Sequence, residues 1–146
     1  MKKLLQKVGF AIAAVFMSVG VAQAGNVDIK IVNSTNTTIE DQSATCLAGG
    51  SFPGAISSGA SQVVSNSGDT SLYSCVVEYN RDDNNRGCRF VISRFWNNGF
   101  PPYYPGSWGA PQVVKYADSG MDCSYTFTYI DVGTSGDFNV TLTVDD

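Results

Sequence analysis

Over residues 138–144 the chain alternates strictly. Phe138, Val140, Leu142 and Val144 are apolar, and Asn139, Thr141 and Thr143 are polar. A period of two puts one kind of residue on each face of a strand. It does not fit a helix, whose apolar residues recur about every 3.6 positions. The same alternation sets Val27, Ile29 and Ile31 against Asp28 and Lys30, and Cys123, Tyr125, Phe127 and Tyr129 against Ser124, Thr126 and Thr128. Over 71–80, Tyr73, Cys75, Val77 and Tyr79 share one face; over 87–95, Cys88, Phe90 and Ile92 do. The polar run Arg81-Asp82-Asp83-Asn84-Asn85-Arg86 joins these two segments into a hairpin. Shorter strands are predicted over 39–46, over 61–65 as an edge strand, and over 112–116, with Gly, Pro, Asn and Ser clusters between them. No segment carries a helical period. Roughly seven to nine short strands separated by turns predict an all-β domain, an antiparallel β-sandwich or a barrel closed like one.

The first 24 residues stand apart from this pattern. Lys2, Lys3 and Lys7 form a basic start, residues 8–21 are almost uniformly apolar, and Ala22-Gln23-Ala24 has the small-x-small form of a signal-peptidase site. This is a secretory leader of bacterial style. Cleavage after Ala24 leaves residues 25–146 as a single domain destined for the periplasm or the outside of the cell. Three of the nine basic residues depart with the leader and all thirteen acidic ones stay, so the mature charge is −7. An acidic protein of this kind is a poor partner for nucleic acid, whose binding rests on neutralising phosphates. Four cysteines, Cys46, Cys75, Cys88 and Cys123, enter an oxidising compartment and predict two disulfides. Cys75 and Cys88 lie on the apolar faces of the hairpin at similar distances from its turn. Cys75–Cys88 is therefore the expected pair, which leaves Cys46 with Cys123.

One stretch has a composition unlike the rest. Residues 95–111, FWNNGFPPYYPGSWGAP, hold both tryptophans and four of the five prolines, and carry no charge. So much Gly, Pro and Asn predicts a loop. An uncharged loop with Phe95, Trp96, Phe100, Tyr103, Tyr104 and Trp108 either folds back as a cap on the sandwich or offers its rings to a ligand. Rings with an apolar body and a polar tip suit a lipid headgroup interface, the flat face of a sugar, or a choline group.

Catalytic chemistry is sparsely provided. The chain has no histidine, which excludes imidazole-based hydrolases and histidine-ligated metals, and it has no phosphate-binding glycine motif. Carboxylate pairs are the only catalytic groups left, and thirteen acids make some close pair inevitable. The Asp82-Asp83-Asn84-Asn85 run has calcium-type oxygens without the spacing of a calcium loop, and reads as a hairpin turn. Neither an enzyme nor a cofactor is expected.

Several segments resemble the aegerolysin and actinoporin-like group of secreted cytolysins. NVDIKIVNSTNTT (26–38) is similar to the first strand and polar turn of aegerolysins, and ISSGASQVV (56–64) to their turn into a strand. CVVEYNRDDNNRGCRFVIS (75–93) resembles their central hairpin. FWNNGFPPYYPGSW (95–108) resembles the membrane-facing aromatic region of actinoporins, and SGDFNVTLTV (135–144) their closing strand. The resemblance implies a compact sandwich that recognises membrane lipid, with Tyr103, Tyr104 and Trp108 on the headgroup and Trp96 beside them. Two features depart from it: no amphipathic helix precedes the first strand, and the actinoporins do without disulfides. Aegerolysins lack such a helix, and commonly need a partner protein to make a pore.

The expectation is an exported, toxin-like β-sandwich binding membrane lipid through Trp96, Phe100, Tyr103, Tyr104 and Trp108. A partner protein or a second copy is compatible with it. The alternatives are a carbohydrate-binding, lectin-like module using the same rings, and a structural or inhibitory envelope protein with the loop buried.

Overall fold

The computed structural model describes residues 25–68, 71–99, 104, 106–131, 133 and 135–146. The leader, Phe100 and Tyr103 lie outside the described residues. Eleven strands are found among them: β1 Asn26–Asn33, β2 Ile39–Asp41, β3 Thr45–Cys46, β4 Ala55–Ile56, β5 Ser61–Ser67, β6 Leu72–Arg81, β7 Gly87–Asn97, β8 Ser107–Trp108, β9 Gln112–Ala117, β10 Asp122–Ile130 and β11 Phe138–Asp145. β3, β4 and β8 are two-residue bridges, too short to show a period in sequence. They account for the excess over the expected count.

The strands form two sheets. The smaller runs β10-β11-β1-β5; the larger runs β4-β2-β6-β7, with β3 also on β6, and β8 and β9 both on the far side of β7. Pairing is antiparallel except at one place: β1 and β11 lie parallel, Val27 opposite Phe138 through Asn33 opposite Val144. Alternation reveals which face is buried and not which way a neighbour runs, so this pair was invisible in the pattern.

The predicted inward faces meet between the sheets. Val27, Ile29, Ile31, Phe138, Val140, Leu142 and Val144 from the smaller sheet pack on Tyr73, Val77, Tyr79, Phe90 and Ile92 from the larger, all buried. Asn33 closes one end. Its side chain donates to the carbonyls of Thr37 and Ile56 and accepts from the amide and hydroxyl of Thr35, so the NSTNTT turn is a structural plug. The turn at 82–86 is likewise held by its own side chains. Arg81 pairs with Asp83 at 2.6 Å, Asn84 accepts from the Arg86 amide, and Asn85 takes a positive φ of 56°.

The disulfides are Cys46–Cys75 and Cys88–Cys123, which corrects the expected pairing. In the β6–β7 hairpin Cys75 lies opposite Ile92, and Cys88 opposite Tyr79. The two cysteines share the inward face but are not neighbours across it. Cys46 is instead the direct cross-strand partner of Cys75. Cys88 reaches across to β10, so the second bond ties the two sheets together.

Candidate functional site

Three connections gather at one end of the sandwich: the β5–β6 link, the segment from β7 to β8, and the β10–β11 link. The Gly68 amide donates to Gly25 O at 2.7 Å, the Trp96 amide to Ser71 O at 3.0 Å, and the Trp108 amide to Gly133 O at 3.3 Å. The aromatic stretch therefore begins and ends as a small hairpin on the larger sheet. Trp96 is the cross-strand partner of Trp108, and Asn97 of Ser107. The two indoles meet edge to face, with centroids 5.7 Å apart.

Arg94 holds this base together. It continues the inward parity of Cys88, Phe90 and Ile92, and it is fully buried. Its Nε donates to Gly109 O at 2.7 Å. Nη1 donates to Gly136 O at 2.7 Å and Asp137 O at 3.2 Å, and Nη2 donates to Asp131 O. The guanidinium also sits 5.7 Å from the Trp108 ring centroid and 5.6 Å from that of Phe138. Burial pushes its pKa down, and the nearby Asp131 and Asp137 charges oppose that shift. A buried charge persists only when its donors are satisfied, and four carbonyls do so here. The result clamps one side of the aromatic loop to the β10–β11 link.

The acids at this end are engaged too. Asp131 accepts from the Gly133 amide at 2.7 Å and from the Ser135 hydroxyl, and these contacts lower its pKa. Asp137 accepts from the Asn26 amide at 2.7 Å.

The predicted ligand-binding rings separate on this frame. Trp108 is only 3% exposed and belongs to the base; its indole is an anchor and not a contact surface. Trp96 is half-buried against it. Tyr104 is 71% exposed. Phe95, which the parity of β7 turns outward, is 56% exposed and joins Tyr104 as a presented ring. Tyr129 and Ile130, at the end of β10 next to the same loops, are exposed as well. The sequence pattern set Tyr129 on one face with Cys123, Tyr125 and Phe127, but an irregularity in the register between Phe127 and Tyr129 pairs it with the outward Asn139; Ile130 was not singled out. Ile130 pairs with Phe138 on the inward side, but β10 is an edge strand that the opposite sheet covers incompletely. No sequence motif singled out Arg94. Its place two residues beyond Ile92 was the signal that it faces inward.

Among the described residues no helix is long and apolar enough to cross a membrane.

No family model matches the chain, and no curated protein does. Solved structures resemble it. IP-1A from Alcaligenes faecalis is 16% identical, with 88% of this chain and 94% of that one covered and a TM-score of 0.49. The lipid-binding protein Nakanori is 12% identical, with 88% and 72% covered and a TM-score of 0.49. At such values neither likeness speaks to what this chain binds.

Proposed function

We propose that this is an exported, toxin-like surface binder whose aromatic end enters the headgroup region of a lipid membrane. The observation that carries the reading is the contrast within one uncharged stretch. Tyr104 and Phe95 are 71% and 56% exposed, while Trp108 is buried and held by Arg94. A ring carried on a strand, as Phe95 is on β7, meets an interface without first losing backbone entropy. Tyr and Phe beside a Trp suit the zone between headgroup and acyl chain. The resemblance of several segments to aegerolysins and actinoporins points the same way. Export through the leader fits the two disulfides, which belong to an oxidising compartment. On this reading the protein binds and does not catalyse, and any pore would need a partner protein or further copies.

The test is pelleting with neutral phosphatidylcholine vesicles. Phe95→Ala and Tyr104→Ala together should abolish most pelleting while leaving the melting temperature in place, because both rings are exposed. Equal pelleting of the double variant and the parent would refute the assignment of these rings. Failure of the parent to pellet with any vesicle, neutral or anionic, would refute the membrane reading itself.

A further inference from the structure

A second surface lies at the opposite end of the larger sheet, on its outward face. The register of β6, β7 and β9 sets Glu78, Arg89 and Tyr116 in one row across three strands. The row beyond, toward the sheet centre, is Val76, Val91 and Val114. On the other side the row is Asn80, Gly87 and Asp118, where the Gly87 amide donates to Asp118 Oδ2 at 2.9 Å. Gly87 brings no side chain to the middle of this row. A hollow on this grid is lined by Glu78, Asn80, Arg89, Val91, Tyr116 and Asp118. Its volume is 370 Å³. That lies within the roughly 300–1,000 Å³ that small-molecule sites occupy.

We propose that this hollow is a binding site for a neutral saccharide. Tyr116, 58% exposed, presents a ring beside the hollow for the apolar face of a pyranose. Glu78 and Arg89 are 3.9 Å apart at their closest, an ion pair without a hydrogen bond between them. Their remaining oxygens and N–H groups can accept from and donate to adjacent hydroxyls, which is the charge-assisted pairing a polyol needs. The mixed charge selects the class. An anion at Arg89 would meet Glu78 and Asp118, and a cation at those acids would meet Arg89. A neutral ligand with vicinal donors and acceptors meets neither penalty. The hollow is open and shallow, so a single sugar binds in the millimolar class. Because the site lies at the far end from Trp96, it stands or falls independently of membrane binding.

The experiment is amide NMR of the oxidised protein, residues 25–146, titrated separately with the methyl glycosides of glucose, galactose and mannose, with N-acetylglucosamine, and with inorganic phosphate. The expected result is saturable shifts at Glu78, Arg89, Val91 and Tyr116 with at least one sugar, and none there with phosphate. Tyr116→Ala and Glu78→Gln should each weaken that binding about tenfold or more without lowering the melting temperature, since both side chains reach solvent. No saturable shift in this patch with any of the four sugars would overturn the proposal. So would shifts confined to the aromatic end, or a patch that responds to phosphate and not to sugar.

Discussion

The guanidinium of Arg94 lies 5.7 Å from the centroid of the Trp108 ring, and both side chains are buried. This contact joins the strand that enters the aromatic stretch to the strand that leaves it. The four carbonyls that accept from Arg94 join both to the β10–β11 link. Both ends of the stretch, at Trp96 and at Trp108, are therefore fixed.

Replacing Arg94 by Leu strips these carbonyls of their donor in a site that water does not reach. The expected loss is about 3–5 kcal/mol in denaturant unfolding. Arg94→Lys should recover only part of it, because one ammonium cannot reproduce the forked geometry. A loss below about 1 kcal/mol for the Leu variant would mean that the clamp is not what holds the base.

Gly136 takes a positive φ of 73°, and a Cβ on it would run into the Trp108 indole. Gly136→Ala should cost about 1–3 kcal/mol, from the backbone conformation and the collision together. It should also red-shift the tryptophan emission as Trp108 is displaced toward water. An unchanged spectrum would contradict the packing of this ring against the β10–β11 link.

Peptide mapping under non-reducing conditions should recover Cys46 linked to Cys75 and Cys88 linked to Cys123. Their sequence separations of 29 and 35 predict similar contributions. Removing either bond by paired Cys→Ala substitution should cost about 3–4 kcal/mol on the chain-entropy account. Only the loss of Cys88–Cys123 should free the two sheets from one another, read as faster amide exchange on β9 and β10. A mapped Cys75–Cys88 peptide would contradict the hairpin register.

Asp131 gives the aromatic end a dependence on acid. The Ser135 hydroxyl, the Gly133 amide and Arg94 hold its pKa below the usual carboxylate range. A depressed folded-state pKa contributes stability that is present above the unfolded value and lost as pH falls through the folded one. Asp131→Asn should therefore flatten the stability profile on the acid side of the ordinary Asp range and leave the neutral region comparatively unchanged in slope. An identical acid limb in parent and variant would remove Asp131 from the account.

Much of this architecture was legible as parity. Alternation over 26–33, 72–81, 87–97 and 138–145 separates the residues that meet in the core from those that face water, whereas over 122–130 only Cys123 of the predicted inward face is buried. Parity also places Cys75, Cys88 and Cys123 inward, but it carries no register. The Cys75–Cys88 expectation failed because Cys88 sits next to the turn and Cys75 five residues from Asn80. Parity is equally silent on strand direction, hence the unforeseen β1–β11 pair. At the site, composition singled out the aromatic stretch but did not divide it. That Trp108 is an anchor while Tyr104 is presented depends on the β8 bridge and on Arg94, two long-range contacts that no local pattern encodes. The Glu78-Arg89-Tyr116 row was hidden for the same reason, because its members come from three strands.

The central claim is that the aromatic end enters a lipid interface. The most direct test is tryptophan emission and acrylamide quenching of the oxidised protein, with and without neutral phosphatidylcholine vesicles. Both tryptophans sit at this end, Trp108 already shielded and Trp96 half-exposed, so any change reports on Trp96. The account predicts a blue shift and a fall in quenching when vesicles are added, with both changes lost in the Phe95→Ala/Tyr104→Ala variant. Emission and quenching that vesicles leave unchanged would contradict it.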